Sequence, residues 1–265
     1  MKPAPFDYRA PASVEETLPL LELDTAVLAG GQSLVPLLNL RLARPEVVVD
    51  INGLAELDYL RADGGPLRIG AMTRQVTLER SEPVRRGWPL LHKAVRLVGH
   101  RQIRSRGTVG GSVAHADPAA ELPAALLALD ATLHMRSTGG ARRVAASEFF
   151  LGPLYTAREP DELLVEIEVP GQPDGAGAGF AEYARTHGDF ATAGAAAVVG
   201  PGGHAGIALF GAGPVPVRSE AADQALASGA GAREAAELAA REVEGEHRRA
   251  LCTELARRAI EEAMA

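Results

Sequence analysis

The sequence predicts an α+β fold in two domains, and three observations carry that expectation. Short β-branched segments alternate with helical ones through the first fifty or so residues. Asp63-Gly64-Gly65 between two apolar segments signals a hairpin. A glycine-rich break at Gly171-Gln172-Pro173-Asp174-Gly175-Ala176-Gly177-Ala178-Gly179 separates this part from a second set of strands and a helical tail.

Taken in order, Ser13 with Glu16 three residues on has the form of a capping box opening a helix, which Pro19 kinks or shortens. Thr25–Leu28 reads as a short buried strand, Leu34–Leu42 as an apolar helix and Val47–Ile51 as a β-branched strand. A strand–helix–strand unit of this kind favours parallel pairing. Leu57–Arg61 and Leu67–Ala71 then flank the hairpin turn. Thr73–Arg80 and Pro89–Val98 read as helices, and a glycine-rich stretch, Arg106–Ser112, follows. Asp117 is placed to cap a helix with Pro118 in its first turn, running to about Leu129. Strands are expected at Thr132–Arg136 and Leu163–Val169, then beyond the break at Phe180–Tyr183, Ala193–Val199 and Ala205–Phe210. Ala232–Met264 has helical spacing, interrupted at Gly245.

Composition narrows the function classes. A net charge of −7 opposes a phosphate-tracking nucleic-acid surface, although Arg101, Arg104 and Arg106 make one local basic candidate. There is no apolar run of about 18 residues to span a membrane, and Met1–Phe6 lacks the apolar core of a secretory signal. The expected location is cytoplasmic. The single cysteine, Cys252, excludes an internal disulfide and any thiolate-built zinc or iron–sulfur site made by this chain alone. Flanked by Leu251 and Leu255 in a helical stretch, it reads as a small buried apolar residue.

Two glycine segments are the functional candidates. Leu28-Ala29-Gly30-Gly31-Gln32-Ser33-Leu34 joins a strand to a helix. Paired glycines let the backbone approach a ligand, Ser33 is a natural helix cap, and free amides at the helix start suit a diphosphate. A plain strand-to-helix turn is the alternative. The Lys-Ser/Thr pair of a P-loop and the GxGxxG spacing of a Rossmann turn are both missing. The second segment, Thr108-Val109-Gly110-Gly111-Ser112, leads to His115-Ala116-Asp117-Pro118 and Glu121. Its hydroxyls can donate to phosphate oxygens, and Glu121 can accept from the ribose or adenine side of a nucleotide. His115 with Asp117 is too small a set for a metal site, and no catalytic acid or base is assigned. Two such segments roughly 80 residues apart suit a dinucleotide held across two lobes.

The residues resemble a known family. Ala29-Gly30-Gly31-Gln32-Ser33-Leu34, continuing through Pro36-Leu37 and Leu40-Arg41 to Val49-Asp50-Ile51, is similar to the first FAD loop of the medium subunits of carbon monoxide dehydrogenase-type enzymes. Arg104–Ser112 with Ala114–Pro118 and Glu121-Leu122-Pro123 resembles the second loop, and Ile69-Gly70-Ala71 with Thr73 the stretch between. Gly188-Asp189-Phe190-Ala191 and the terminal His247–Ala259 stretch resemble the family's C-terminal domain. This resemblance implies a two-lobed FAD-binding domain of the xanthine dehydrogenase/vanillyl-alcohol oxidase type over 1–172, with lobes at about 1–52 and 53–172. A small C-terminal α+β domain, an antiparallel sheet with helices, would follow over 173–265. The FAD diphosphate would lie between 29–33 and 108–112, with Val98, Leu164, Ala116, Asp117, Glu121 and Tyr183 as further contacts.

The resemblance further implies an electron-transfer subunit of a molybdenum hydroxylase. Its partners would be a molybdopterin-binding large subunit and a [2Fe–2S] small subunit, in a dimer of heterotrimers that passes electrons to an external acceptor. The first loop has no His, so FAD is expected to be noncovalent. The lone cysteine excludes the [4Fe–4S] insertion of some relatives. Ala184 stands where relatives often carry Lys, which leaves the flavin-ring contacts open. The competing reading is a self-contained flavin oxidase or reductase, with Tyr183, His187 and Asp189 as the available acid–base groups.

Overall fold

The computed structural model describes residues 2–265. The N-terminal part contains β1 (Asp7–Arg9), α1 (Val14–Thr17), β2 (Thr25–Leu28), α2 (Leu34–Asn39) and β3 (Val47–Asp50). The strands form a parallel sheet in the order β1-β3-β2, so the expected parallel unit is present with one strand added. Asp7-Tyr8-Arg9 is exposed and polar, which is why periodicity does not reveal β1. Ser13 Oγ accepts the Glu16 amide at 3.1 Å, but Glu16 returns to the amide of Ala12 rather than that of Ser13. Pro19 sits in a 3-10 turn, Leu18–Leu20. Val14, Leu18, Leu21, Val49, Ile51, Leu54 and Leu57 pack as the small core of this region.

The second part begins with β4 (Leu60–Arg61) and β5 (Leu67–Gly70), then runs through α3 (Gln75–Arg80), α4 (Glu82–Gly87), α5 (Pro89–Leu97), α6 (Arg101–Arg106), α7 (Val109–His115) and α8 (Glu121–Ala128). It closes with β6 (Thr132–Ser137), β7 (Gly140–Ala145), α9 (Ala146–Phe149), β8 (Phe150–Gly152), β9 (Tyr155–Thr156) and β10 (Leu163–Val169). An antiparallel sheet runs β4-β5-β10-β6-β7. One of its faces carries Leu67, Ile69, Leu133, Met135, Ile167 and Val169, buried in the main core with Leu78, Leu91 and Leu126 from the helices.

Several expectations need correction here. Ala55–Leu57 is a 3-10 turn, so the first hairpin arm is only Leu60–Arg61. The glycine-rich stretch is not a loop throughout, since Arg101–Arg106 and Val109–His115 are helical. The helix expected from Pro118 starts at Glu121, because Asp117–Ala120 forms a turn in which Asp117 Oδ1 accepts the Ala119 amide at 2.8 Å. β7 was hidden because its side chains are nearly all exposed.

The C-terminal part holds β11 (Gly177–Tyr183), β12 (Ala193–Val199), β13 (Ala205–Phe210) and β14 (Val217–Arg218), antiparallel in that order. They are followed by α10 (Glu220–Ala227), α11 (Ala232–Ala239) and α12 (Glu246–Met264). Gly177 and Gly179, read as linker, are strand residues. A Cβ on either would lie 2.0 or 1.9 Å from a carbonyl oxygen of α12, so glycine is what lets helix and sheet meet. Cys252 is buried in this core, and burial pushes its thiol pKa up.

Every residue of α8 is buried, since it packs in the main core against α5 and α7 on one side and the C-terminal sheet on the other. Gly206 of β13 sits where a Cβ would fall 2.0 Å from the Ala128 oxygen, and the Gly211 amide donates to the Pro118 oxygen at 2.8 Å. No helix is long and apolar enough to cross a membrane, among the described residues.

Candidate functional site

The first glycine segment turns the chain from β2 into α2. Gly31 has φ 72°, in the left-handed region. A Cβ on Gly30 would stand 2.5 Å from the Arg106 oxygen and 2.7 Å from Gly107 Cα, so the two glycine segments touch backbone to backbone. Ser33 occupies the cap position of α2 in an αR conformation and caps nothing, contrary to expectation. Gln32 Nε2 donates to the Gly30 oxygen at 2.9 Å. Among the described residues, the amides of Gly31, Gln32, Ser33 and Leu34 have no acceptor within the chain. Free, convergent amides of this kind are the donor set that an anion accepts.

The second segment is built differently. Thr108 caps α7, its Oγ1 accepting the Gly111 amide at 3.0 Å. The Val109 and Gly110 amides donate to the Thr73 and Ala71 oxygens, both at 2.9 Å. A Cβ on Gly110 would meet Ala71 at 2.6–2.7 Å, and one on Gly111 would meet Thr108 Oγ1 at 2.6 Å and Ala29 Cβ at 3.5 Å. The amides of 109–111 are therefore engaged inside the chain, and this segment offers closeness and hydroxyls.

Asn52 and Arg74, which sequence reasoning missed, clamp the two segments. Asn52 Nδ2 donates to the Ala29 oxygen at 2.7 Å, and Arg74 donates to Asn52 Oδ1 at 2.8 Å and to the Arg106 oxygen. Asn52 follows Asp50, whose Oδ1 accepts the Asn52 amide at 2.9 Å; such an Asx turn is the only signal in the sequence that could have pointed to it. The proposed basic candidate resolves differently as well. Arg104 is buried, pairs with Glu79 at 2.9 and 3.1 Å, and donates to the oxygens of Val98 and Gly99, so it shapes the backbone instead of offering charge.

Between the segments lies a cleft of about 480 Å³, a size usual for cofactor sites. Ala29, Gly30, Gly31, Gln32, Ser33, Leu34, Val98, Thr108, Gly110, Gly111, Ser112, Asp117, Glu121 and Leu164 all line it. Leu28, Val109, Ala116 and Tyr183 do not: Val109 and Ala116 are buried, Leu28 is half-buried under Gly31, and Tyr183 is exposed at the end of β11. Unanticipated lining residues include Thr25, Val27, Ile103 and Arg158, while Gly188, Asp189 and Phe190 close one side.

Glu121 is 6% exposed at the start of α8, where its own backbone amide partly stabilises the carboxylate. Burial pushes its carboxyl pKa up to about 8, helped by the nearby charges of Glu182 and Asp117. At neutral pH it is thus mainly a neutral acid able to donate as well as accept, which revises the pure acceptor role. Glu182, on β11, is pushed up to about 7 by its own burial. His115 is held below the usual imidazole range by burial, against the pull of Asp117.

The residues present fit a dinucleotide cofactor: a glycine-walled cleft, unengaged amides at one wall, hydroxyls of Thr108 and Ser112 at the other, and an apolar flank of Val98, Ile103 and Leu164. Comparison with known proteins agrees. Residues 4–172 match the family described as the FAD binding domain in molybdopterin dehydrogenase. The chain is 44% identical to the 6-hydroxypseudooxynicotine dehydrogenase complex subunit alpha of Paenarthrobacter nicotinovorans, over 85% of this chain and 79% of that one. It is 40% identical to the carbon monoxide dehydrogenase medium chain of Hydrogenophaga pseudoflava, over 91% and 86%. The solved carbon monoxide dehydrogenase from Hydrogenophaga pseudoflava superposes with a TM-score of 0.94 at 38% identity, covering 100% of this chain and 99% of that one. Quinoline 2-oxidoreductase from Pseudomonas putida 86 gives 0.91 at 36%, covering 99% and 98%. With fold, glycine cleft and relatives in agreement, the chain belongs to the FAD-binding medium subunits of the molybdenum hydroxylase family.

Proposed function

We propose that this chain binds FAD noncovalently in the cleft between residues 29–34 and 107–112 and serves as the electron-transfer flavoprotein of a molybdenum hydroxylase. The observation that carries the proposal is the set of unengaged amides at Gly31–Leu34, facing a second glycine segment across a cofactor-sized cleft. When bound there, FAD would supply the redox chemistry between [2Fe–2S] clusters of a partner small subunit and an external acceptor. The chain's own residues bind, orient and shield. Amides 31–34 would hold the diphosphate, Thr108 and Ser112 would donate to its oxygens, Glu121 would meet the nucleotide end, and Val98 and Leu164 would supply apolar contact. Asn52 and Arg74 hold the two walls at a fixed separation.

Substrate oxidation belongs to a molybdopterin-binding large subunit, and the assembly is a cytoplasmic dimer of heterotrimers. Residues 1–172 form the cofactor domain, as lobes 1–52 and 53–172, and 173–265 the C-terminal flavoprotein domain. The relatives named above are subunits or chains of larger dehydrogenases, which speaks against a self-contained oxidase. The visible spectrum of the purified chain, alone and with its partner subunits, tests this reading. Flavin absorption that bleaches with substrate only when the partners are present supports it. A protein that stays colourless with added FAD, or a flavin reduced by substrate without partners, overturns it.

A further inference from the structure

The outer face of the five-stranded sheet carries a cluster independent of the cleft. His134 on β6 is the register partner of Glu166 on β10, and Glu168 follows two residues on along the same face. His134 Nδ1 lies 3.7 Å from Glu166 Oε1, and Nε2 lies 3.7 Å from Glu168 Oε2. Taking one ligand atom from each residue, the three atoms lie within 4.8 Å of one another. These separations are too long for hydrogen bonds. His134 Nε2 and Glu168 Oε2 are buried atoms without a hydrogen-bond partner.

Arg68 already pairs with both carboxylates, but the hydrogen bonding of the imidazole is incomplete. A neutral imidazole has one N–H, yet here both ring nitrogens face carboxylate oxygens, so one lone pair is set against another. A cation takes only one ring nitrogen and satisfies that lone pair. With one donor atom from each residue the three lie within 4.8 Å of one another, so coordination at about 2.1 Å draws the carboxylates inward by side-chain rotation.

We propose that His134, Glu166 and Glu168 form a site for a divalent transition cation of the zinc type, a mixed imidazole–carboxylate donor set with solvent completing the shell. Two neighbours fit this role. Tyr59 Oη donates to Glu166 Oε2 at 2.6 Å, fixing that carboxylate and leaving Oε1 turned toward His134. A cavity of about 320 Å³, walled by Tyr59, His134, Arg142, Arg143 and Glu166, gives room for coordinated water. Arg68 is the competitor: its guanidinium stands 3.8 Å from Glu166 Oε1 and 3.3 Å from Glu168 Oε2. Its side chain is half-exposed, so it can swing into solvent when the cation enters.

The full-length chain, stripped with chelator and titrated calorimetrically with zinc chloride, tests the site without reference to FAD. The expected result is saturable binding of one equivalent, weakened about tenfold or more in His134→Gln and in Glu168→Gln. Arg68→Ala should bind more tightly, because it removes the competing charge. Glu168→Gln, on the sheet's outer face, keeps the test valid if His134→Gln folds poorly. Absence of saturable binding, or binding unchanged in Glu168→Gln, overturns the proposal and leaves the cluster as an ion-paired surface lattice around Arg68.

Discussion

The two glycine segments look alike as text and differ as chemistry. In the first, Gly31 turns the chain through a positive φ, and the amides that follow are left without acceptors. In the second, the glycines sit in the first turn of a helix, and the amides of Gly110 and Gly111 are taken by the Ala71 oxygen and Thr108 Oγ1. The first segment is therefore a donor array. The second is a contact surface, where glycine serves to bring α7 against Ala71 and Ala29. Paired glycines can mean free backbone groups or close approach, and only hydrogen-bond accounting tells which.

Substitutions can break this comparison. The largest effect is expected for Gly31→Asp, since Asp tolerates a positive φ better than most residues but sets a negative charge among the free amides. FAD affinity should fall by about a hundredfold or more, with melting temperature little changed. Equilibrium dialysis against FAD, beside a thermal melt, measures both; retained flavin would remove the donor array from the binding account. Gly110→Ala should behave in the opposite way. Its Cβ would press on Ala71 at 2.6 Å, so the apoprotein should lose about 1–3 kcal/mol of stability in urea. An unfolding midpoint equal to that of the unaltered chain would show that the contact yields freely.

The smallest expected effect sharpens the far end of the second wall. Burial holds the folded-state pKa of Glu121 at about 8, above the ordinary 4.5, so the folded chain keeps a proton that the unfolded chain releases. The sign follows: this group's contribution is most favourable below about pH 4.5 and declines as pH rises toward 8. Glu121→Gln should flatten that decline between pH 5 and 8 in the FAD-free chain. Parallel pH profiles for the two proteins would refute the assignment.

Much of this was legible in the sequence, for identifiable reasons. Val47–Asp50, Ala193–Val199 and Ala205–Phe210 are apolar strands whose burial matches their composition, whereas Thr25–Leu28 is a strand as expected but only half-buried. β1 and β7 are polar edge segments, and only their partners make them strands. Of the fourteen expected contact residues that line the cleft, ten lie in the two segments and Asp117 and Glu121 follow the second, while Val98 and Leu164 came from the family resemblance alone. Asn52, Arg74 and Phe190 were out of reach, since long-range approach selects them and local pattern does not. Gly177 and Gly179 misled for a related reason. Flexible linkers and tightly packed strands both call for glycine, and α12 decides between them.

Helix α8 divides the chain in one sense and joins it in another. It carries Glu121 into the cleft at one end, while along its length Ala128 meets Gly206 and Leu127 accepts from Arg218 of the C-terminal sheet. A boundary drawn at residue 172 crosses one continuous core, because α8 packs in the same cluster as Ala196, Ala208 and Phe210 of the C-terminal sheet; amide exchange in β13 should therefore slow when FAD fills the cleft.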